Sequence, residues 1–176
     1  MKKILLFLFA ISLIFGLTGC SSSGTKSNKY KIAVIPKGTT HQFWKSINAG
    51  ATKAANDYKT QGVDVEIIWK GPLREDDREQ QIQVVEGFIS QNVNGIVLAP
   101  LDNKALVRPV EEAKRAGIPT VIIDSSLESD QITSFAATDN KKGGALAADR
   151  LGEVLGGKGK VIMLRYAEGS ASTTDR

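Results

Sequence analysis

From residue 30 onward, short β-branched runs alternate with longer stretches whose apolar positions recur three or four apart. Strands alternate side chains with period two and helices with period 3.6, so this rhythm predicts strand, helix, strand, helix. Residues 31–35 are the first expected strand, and Phe43, Trp44, Ile47, Ala51, Ala54 and Tyr58 then mark one face of a helix that exits at Gly62. A second strand is expected over 63–69. A polar loop over 71–77 leads to a helix with Ile82, Val85, Phe88 and Ile89 on one face. The third strand, 95–100, is apolar throughout, as a strand covered on both faces should be. Asp102 or Asn103 can cap the next helix, which carries Leu106, Val110 and Ala113 and stops at Gly117. Residues 120–123 form a fourth strand ending at Asp124, and a shorter strand lies within 132–137. A helix with Leu146, Leu151 and Leu155 ends at Gly156 and Gly157, residues 161–164 read as a last strand, and Ser170-Ala171-Ser172 reads as a helix entrance.

This alternation predicts an α/β fold, a parallel doubly wound sheet with helices on both faces. Right-handed crossovers leave few topologies open. Ligands of such sheets bind beyond the carboxyl ends of the strands. The loops that matter are therefore 36–44, 71–77, 100–103, 124–127 and 166–176.

The first twenty residues follow a different pattern. Met1-Lys2-Lys3 precedes an apolar run over 4–17, broken only by Ser12 and Gly16, and Leu17-Thr18-Gly19-Cys20 closes it. A basic start, an apolar stretch and small residues before a break make a secretory signal. The run is shorter than the roughly 20 residues that cross a bilayer. The Leu-Thr-Gly-Cys site resembles the lipobox of bacterial lipoproteins, which implies acylation of Cys20 and a mature chain beginning there. Residues 1–19 are then the signal peptide and 20–30, rich in Ser, Gly and Lys, a flexible tether.

Composition narrows the chemistry. Cys20 is the single cysteine and His41 the single histidine. With Cys20 acylated, the folded part has no disulfide, thiol nucleophile or Cys-based zinc site, and no metal is expected. Half of the formal net charge of +4 comes from Lys2 and Lys3, and no basic block or basic-aromatic stripe follows, so no nucleic-acid partner is expected. No cofactor is expected either. The turn after the first strand, Pro36-Lys37-Gly38-Thr39-Thr40-His41, has one glycine where a dinucleotide turn needs Gly-x-Gly-x-x-Gly. Gly152 to Lys158 has phosphate-loop spacing, but Gly159 stands where Ser or Thr should be. That stretch also ends a helix, where the dipole repels anions. A hydrolase's Gly-x-Ser-x-Gly elbow is absent, so an enzyme is not expected.

Five segments in series carry a resemblance. They are Ile32 to Trp44 with its Ala-rich helix, Gly95-Ile96-Val97-Leu98-Ala99-Pro100-Leu101-Asp102, and Ile118-Pro119-Thr120-Val121-Ile122-Ile123-Asp124. Thr138-Asp139-Asn140 with Gly143-Gly144, and Glu168-Gly169-Ser170-Ala171-Ser172 through Arg176, complete the series. Together they resemble the ribose-binding-protein-like periplasmic sugar-binding proteins, type I solute receptors of ABC importers. The resemblance implies two α/β lobes that close on a monosaccharide. Residues 31–137 would be the N-terminal lobe and 138–176 a hinge and the incomplete start of the second. It further implies an ABC permease as partner, the membrane being reached through the lipid on Cys20, outside the cytoplasm.

The resemblance also assigns residues. Phe43 and Trp44 match an aromatic pair that packs on the sugar, whose C–H faces are apolar enough to stack on rings. Asp124 matches an Asp that accepts from sugar hydroxyls. In the ribose receptor an Arg follows that Asp; here Ser125 does, which points away from ribose itself. Arg176 matches an Arg that closes over the ligand from the second lobe, and Asp139 and Asn140 fall at the first crossing, as hinge candidates. The Pro36-Lys37 turn is similar to relatives that bind an autoinducer furanose or rhamnose, where the Lys donates to ligand oxygens; a plain surface lysine is the competing interpretation. Thr39, Thr40 and His41 offer further polar contacts.

Family members run to almost twice this length. The sequence is thus expected to be a fragment that binds sugar weakly or not at all by itself. Four functions are ordered on these features: importer component, sensor presenting ligand to a chemoreceptor or histidine kinase, enzyme, and repressor. A repressor of this fold would carry a helix-turn-helix where the signal peptide stands.

Overall fold

A computed structural model describes residues 29–176; the expected signal peptide, Cys20 and all but the last two residues of the expected tether lie outside them. The elements run β1 (Lys29–Ile35), α1 (Gln42–Thr60), β2 (Asp64–Trp69), α2 (Arg78–Ser90), β3 (Gly95–Leu98), α3 (Val107–Arg115), β4 (Thr120–Ile123), β5 (Ser134–Ala136), α4 (Asn140–Val154) and α5 (Ala171–Thr174). The five strands form one sheet in the order β2-β1-β3-β4-β5, every pair parallel. The α/β expectation holds. β1 begins at Lys29, opposite Asp64, and so takes in the last two residues read as tether.

The strand order reverses at β1. From β1 the chain steps outward to β2, then returns across it to β3 and continues to β4 and β5. Right-handed crossovers then put α1 on one face and α2 and α3, which touch each other, on the opposite one. The α2/α3 face is a buried apolar core. Ala33, Ile35, Ile96, Leu98 and Ile122 meet Val84, Val85 and Phe88 of α2 and Leu106, Val110 and Ala113 at α3. The opposite face is thinner, with Val97, Val121 and Ile123 half-buried. On α1 only Trp44 is fully buried; Ile47, Ala51 and Ala55 are half-buried, while Ala54 and Tyr58 of the expected apolar face are exposed.

One polar side chain organises the switch point between β1 and β3. Gln81 is fully buried in α2, a position the apolar pattern does not single out. Its amide donates to the carbonyls of Pro36 (3.0 Å) and Ala99 (2.8 Å) and accepts from the N–H of Leu101 (2.8 Å). Buried backbone groups left without partners cost about 1–3 kcal/mol each, so this clip fixes both strand exits. The helix after β3 starts later than its apolar face suggests. Asp102 caps the preceding turn by accepting from Lys104 and Ala105 N–H, and α3 itself starts at Val107.

The expected strand over 161–164 is not formed. Its side chains are exposed, and no strand among the described residues lies beside it. A strand needs a neighbour for its backbone hydrogen bonds and an apolar face to cover, and local composition supplies neither. The phosphate-loop look-alike is a helix stop, as expected: Gly156 and Gly157 follow α4 with φ of 60° and 73°. No helix among the described residues is long and apolar enough to cross a membrane.

Candidate functional site

The carboxyl ends of β1 and β4 meet the segment around α5 in a cleft of about 830 Å³. Lys37, His41, Phe43, Trp44, Glu75, Asp124, Ser170, Ser172, Tyr166 and Arg176 are among the residues that line it. The switch point of an open parallel sheet is where ligands bind, because no crossover helix covers the strand ends there.

Asp124 stands where β4 stops. It takes a positive φ of 65°, and the N–H of Ser125 donates back to the carbonyl of Ile123 at 2.7 Å, a three-residue turn. Asp tolerates this left-handed backbone better than β-branched residues, and such conformations concentrate at functional sites. One carboxylate oxygen, Oδ2, accepts from Lys37 Nζ (2.7 Å) and from Ser125 Oγ (3.2 Å). The carboxylate still has lone pairs to offer incoming hydroxyls.

Lys37 is buried. Besides Asp124, its ammonium donates to Ser125 Oγ (2.5 Å), Ser170 Oγ (3.2 Å) and Ser172 Oγ (3.2 Å). An ammonium has three protons, so these four acceptors take up its whole donor capacity. A buried cation requires this pairing. The surface-lysine interpretation is thus excluded, and the amine is shared with protein groups. Ser125 is equally buried and accepts from the N–H of Ser172 at 3.2 Å, which ties the β4 exit to α5.

The aromatic pair divides. Phe43 is 47% exposed, whereas Trp44 is 2% exposed, with ring centroids 4.8 Å apart at 79°, edge to face. Phe43 is thus the open ring of the pair, and the buried Trp44 packs against it. His41 is exposed and caps α1, its Nδ1 accepting from the N–H of Phe43 at 3.2 Å. Thr39 and Thr40 donate to the carbonyls of Pro72 and Leu73, both at 3.3 Å, and so fasten the 71–77 loop rather than facing the cleft. Arg176 donates to Asn140 Oδ1 at 2.5 Å. Gly144 permits this docking, since a Cβ there would lie 1.9 Å from the Arg176 carbonyl oxygen. Asp139 caps α4 through the N–H of Lys142 (2.9 Å), and Asn140 is buried beneath Arg176.

Glu75, Tyr166, Ser170 and Ser172 also line the cleft and are not among the candidate site residues of the sequence. In the sequence Ser170 and Ser172 stand out as a helix entrance and as part of the last segment that carries the resemblance. Glu75 accepts from the Trp44 indole N–H at 2.7 Å and from the Tyr166 hydroxyl at 3.4 Å. Burial first, and then the Glu75 carboxylate, push the Tyr166 phenol above its ordinary pKa. Among the described residues no group of three His, Cys, Asp or Glu is placed to hold a metal ion.

The periplasmic binding protein domain family matches residues 32–176. The chain belongs to this family. It is 32% identical over 186 aligned positions to the ribose import binding protein of Bacillus subtilis, taking in all of this chain and 58% of that protein. The chain is also similar to a solved ABC transporter solute-binding protein from Agrobacterium vitis with bound D-fucose. It superposes with a TM-score of 0.75 at 36% identity over 83% of this chain and 50% of that one. A fructose-binding periplasmic domain of a hybrid two-component system matches with a TM-score of 0.73 at 26% identity, over 83% of this chain and 46% of that one. The chain therefore spans about half the length of the periplasmic binding proteins it matches.

Proposed function

We propose that the chain is the N-terminal lobe and part of the second lobe of a substrate-binding lipoprotein for a sugar ABC importer, with Cys20 as the lipid anchor. The observation that carries this reading is the meeting, in one cleft at the strand ends, of an open Phe43 ring, the Asp124 carboxylate and the Arg176 guanidinium. A monosaccharide has matching parts: apolar C–H faces for the ring and vicinal hydroxyls for the charged groups. Similarity to sugar-binding proteins supports the same ligand class. No chemistry is needed. Ligand favours the closed arrangement of two lobes, and the permease responds to that population.

Titration calorimetry of the whole protein with D-ribose, D-allose, D-fucose and D-arabinose tests it. Saturable one-site binding of at least one neutral monosaccharide is expected; heats no larger than dilution for every sugar would overturn the reading. Metabolic labelling with radioactive palmitate tests the anchor, with label on the wild type and none on Cys20→Ser.

The sensor alternative has one specific support, the match to a domain of a two-component system. Radiolabelled sugar uptake in a deletion strain separates the two. Lost uptake favours the importer; intact uptake with a lost transcriptional response favours the sensor.

A further inference from the structure

Glu75 is the one acidic side chain of the cleft that the sugar-binding reading leaves without a role. It sits on the polar loop after β2, on the wall between the cleft of about 830 Å³ and a neighbouring one of about 690 Å³. Its two carboxylate oxygens are divided. Oε1 accepts from the Trp44 indole at 2.7 Å, and Oε2 faces the Tyr166 hydroxyl at 3.4 Å. Gly38, in the turn after β1, makes this possible, because a Cβ at that position would stand 2.8 Å from Glu75 Cγ. The chain has thus placed a carboxylate against a buried indole N–H and left out a side chain to do it.

An indole has one donor, and a charge-assisted hydrogen bond fixes where the ring edge points. Trp44 in turn sets Phe43, which meets it edge to face at 4.8 Å. We propose that Glu75 is a positioning residue for ligand binding: it locks the Trp44 indole, and through it the Phe43 ring, in the orientation that receives the ligand, and it joins this aromatic wall to Tyr166 of the same cleft. The proposal rests on the sugar-binding reading above, but its first half concerns the protein alone.

The test uses the whole protein carrying Glu75→Ala, Glu75→Gln or Gly38→Ala, with folding checked by circular dichroism. In ¹⁵N-edited spectra the Trp44 indole N–H resonance should move upfield in Glu75→Ala, stay close to its place in Glu75→Gln, whose amide oxygen still accepts, and move partway in Gly38→Ala. Trp69, in β2, serves as the internal reference. Sugar affinity should fall about tenfold in Glu75→Ala, because the aromatic wall must then be ordered on binding, and recover to within about threefold in Glu75→Gln. An unmoved Trp44 resonance in Glu75→Ala would overturn the proposal, and so would a moved resonance with unchanged affinity. If the wild type binds no sugar, the sugar-binding reading fails, while the indole shift still decides whether Glu75 holds Trp44.

Discussion

β1 and residues 161–164 are built from similar side chains and end in opposite states. Ala33, Val34 and Ile35 of β1 are 0–3% exposed, whereas Ile162, Met163 and Leu164 are 88–90% exposed and form no strand. The difference is not propensity. β1 has β2 on one side and β3 on the other, with α2 beneath its Ala33 and Ile35. Nothing equivalent stands beside 161–164 among the described residues. β propensity is largely a matter of fitting a half-buried pleated surface, and a run of aliphatic residues without one stays unpaired. The same contrast holds for charges. Lys37 and Asp124 meet through the sheet, with Lys37 buried, while Lys53 and Asp57 meet on an exposed turn of α1.

The largest expected effect lies in the core. Phe88→Ala should cost about 3–5 kcal/mol of unfolding free energy by urea titration, because α2 cannot collapse onto the sheet behind it. Ile162→Ala, measured like Phe88→Ala in the 176-residue chain, should stay within about 0.5 kcal/mol. Equal losses would show that 161–164 is packed as tightly as the β1 face. Next comes the buried charge. Lys37→Met leaves Asp124 without its cation, for a loss of about 2 kcal/mol once the partial exposure of Asp124 is allowed for. Lys53→Met should cost about 0.5 kcal/mol or less. Similar losses from the two would remove the distinction between them.

The smallest effect is a pH dependence at Asp102. Burial works against its ionisation, but the N–H groups of Ala105 and Lys104 and the Arg78 guanidinium outweigh it and hold the carboxyl below the usual range. A carboxyl lowered on folding adds stability that is complete above its unfolded pKa and is lost as pH falls through the folded one. The acid limb of the stability–pH curve should therefore be shallower in Asp102→Asn than in the wild type. Superimposable limbs would mean that Asp102 is no better paired folded than unfolded.

Much of the architecture was legible because it is periodic. The β-branched runs located β1 to β4 to within a few residues, and Asp139 at the start of α4 follows from ordinary capping chemistry. Phe43, Trp44 and Asp124 were reached through the family resemblance, and the fold brings the three to one cleft. Lys37 and Asp124 are 87 positions apart, and they meet because β3 lies between their strands and brings both exits to one edge. Glu75 sits in a charged loop with no period, where Asp76 and Asp77 look equally suitable. Its importance lies in the Trp44 indole and the space left by Gly38, neither of which is local. The 161–164 expectation failed for the converse reason: its pattern was local, and its partners were not.

The most direct measurement compares wild type and Asp124→Ala by calorimetric titration with whichever monosaccharide binds the wild type best. A cleft that holds sugar through Asp124 predicts one-site binding in the wild type and at least about tenfold weaker binding in the variant, since a charged acceptor of sugar hydroxyls is removed. Undiminished binding by Asp124→Ala, or no binding by the wild type, would contradict it.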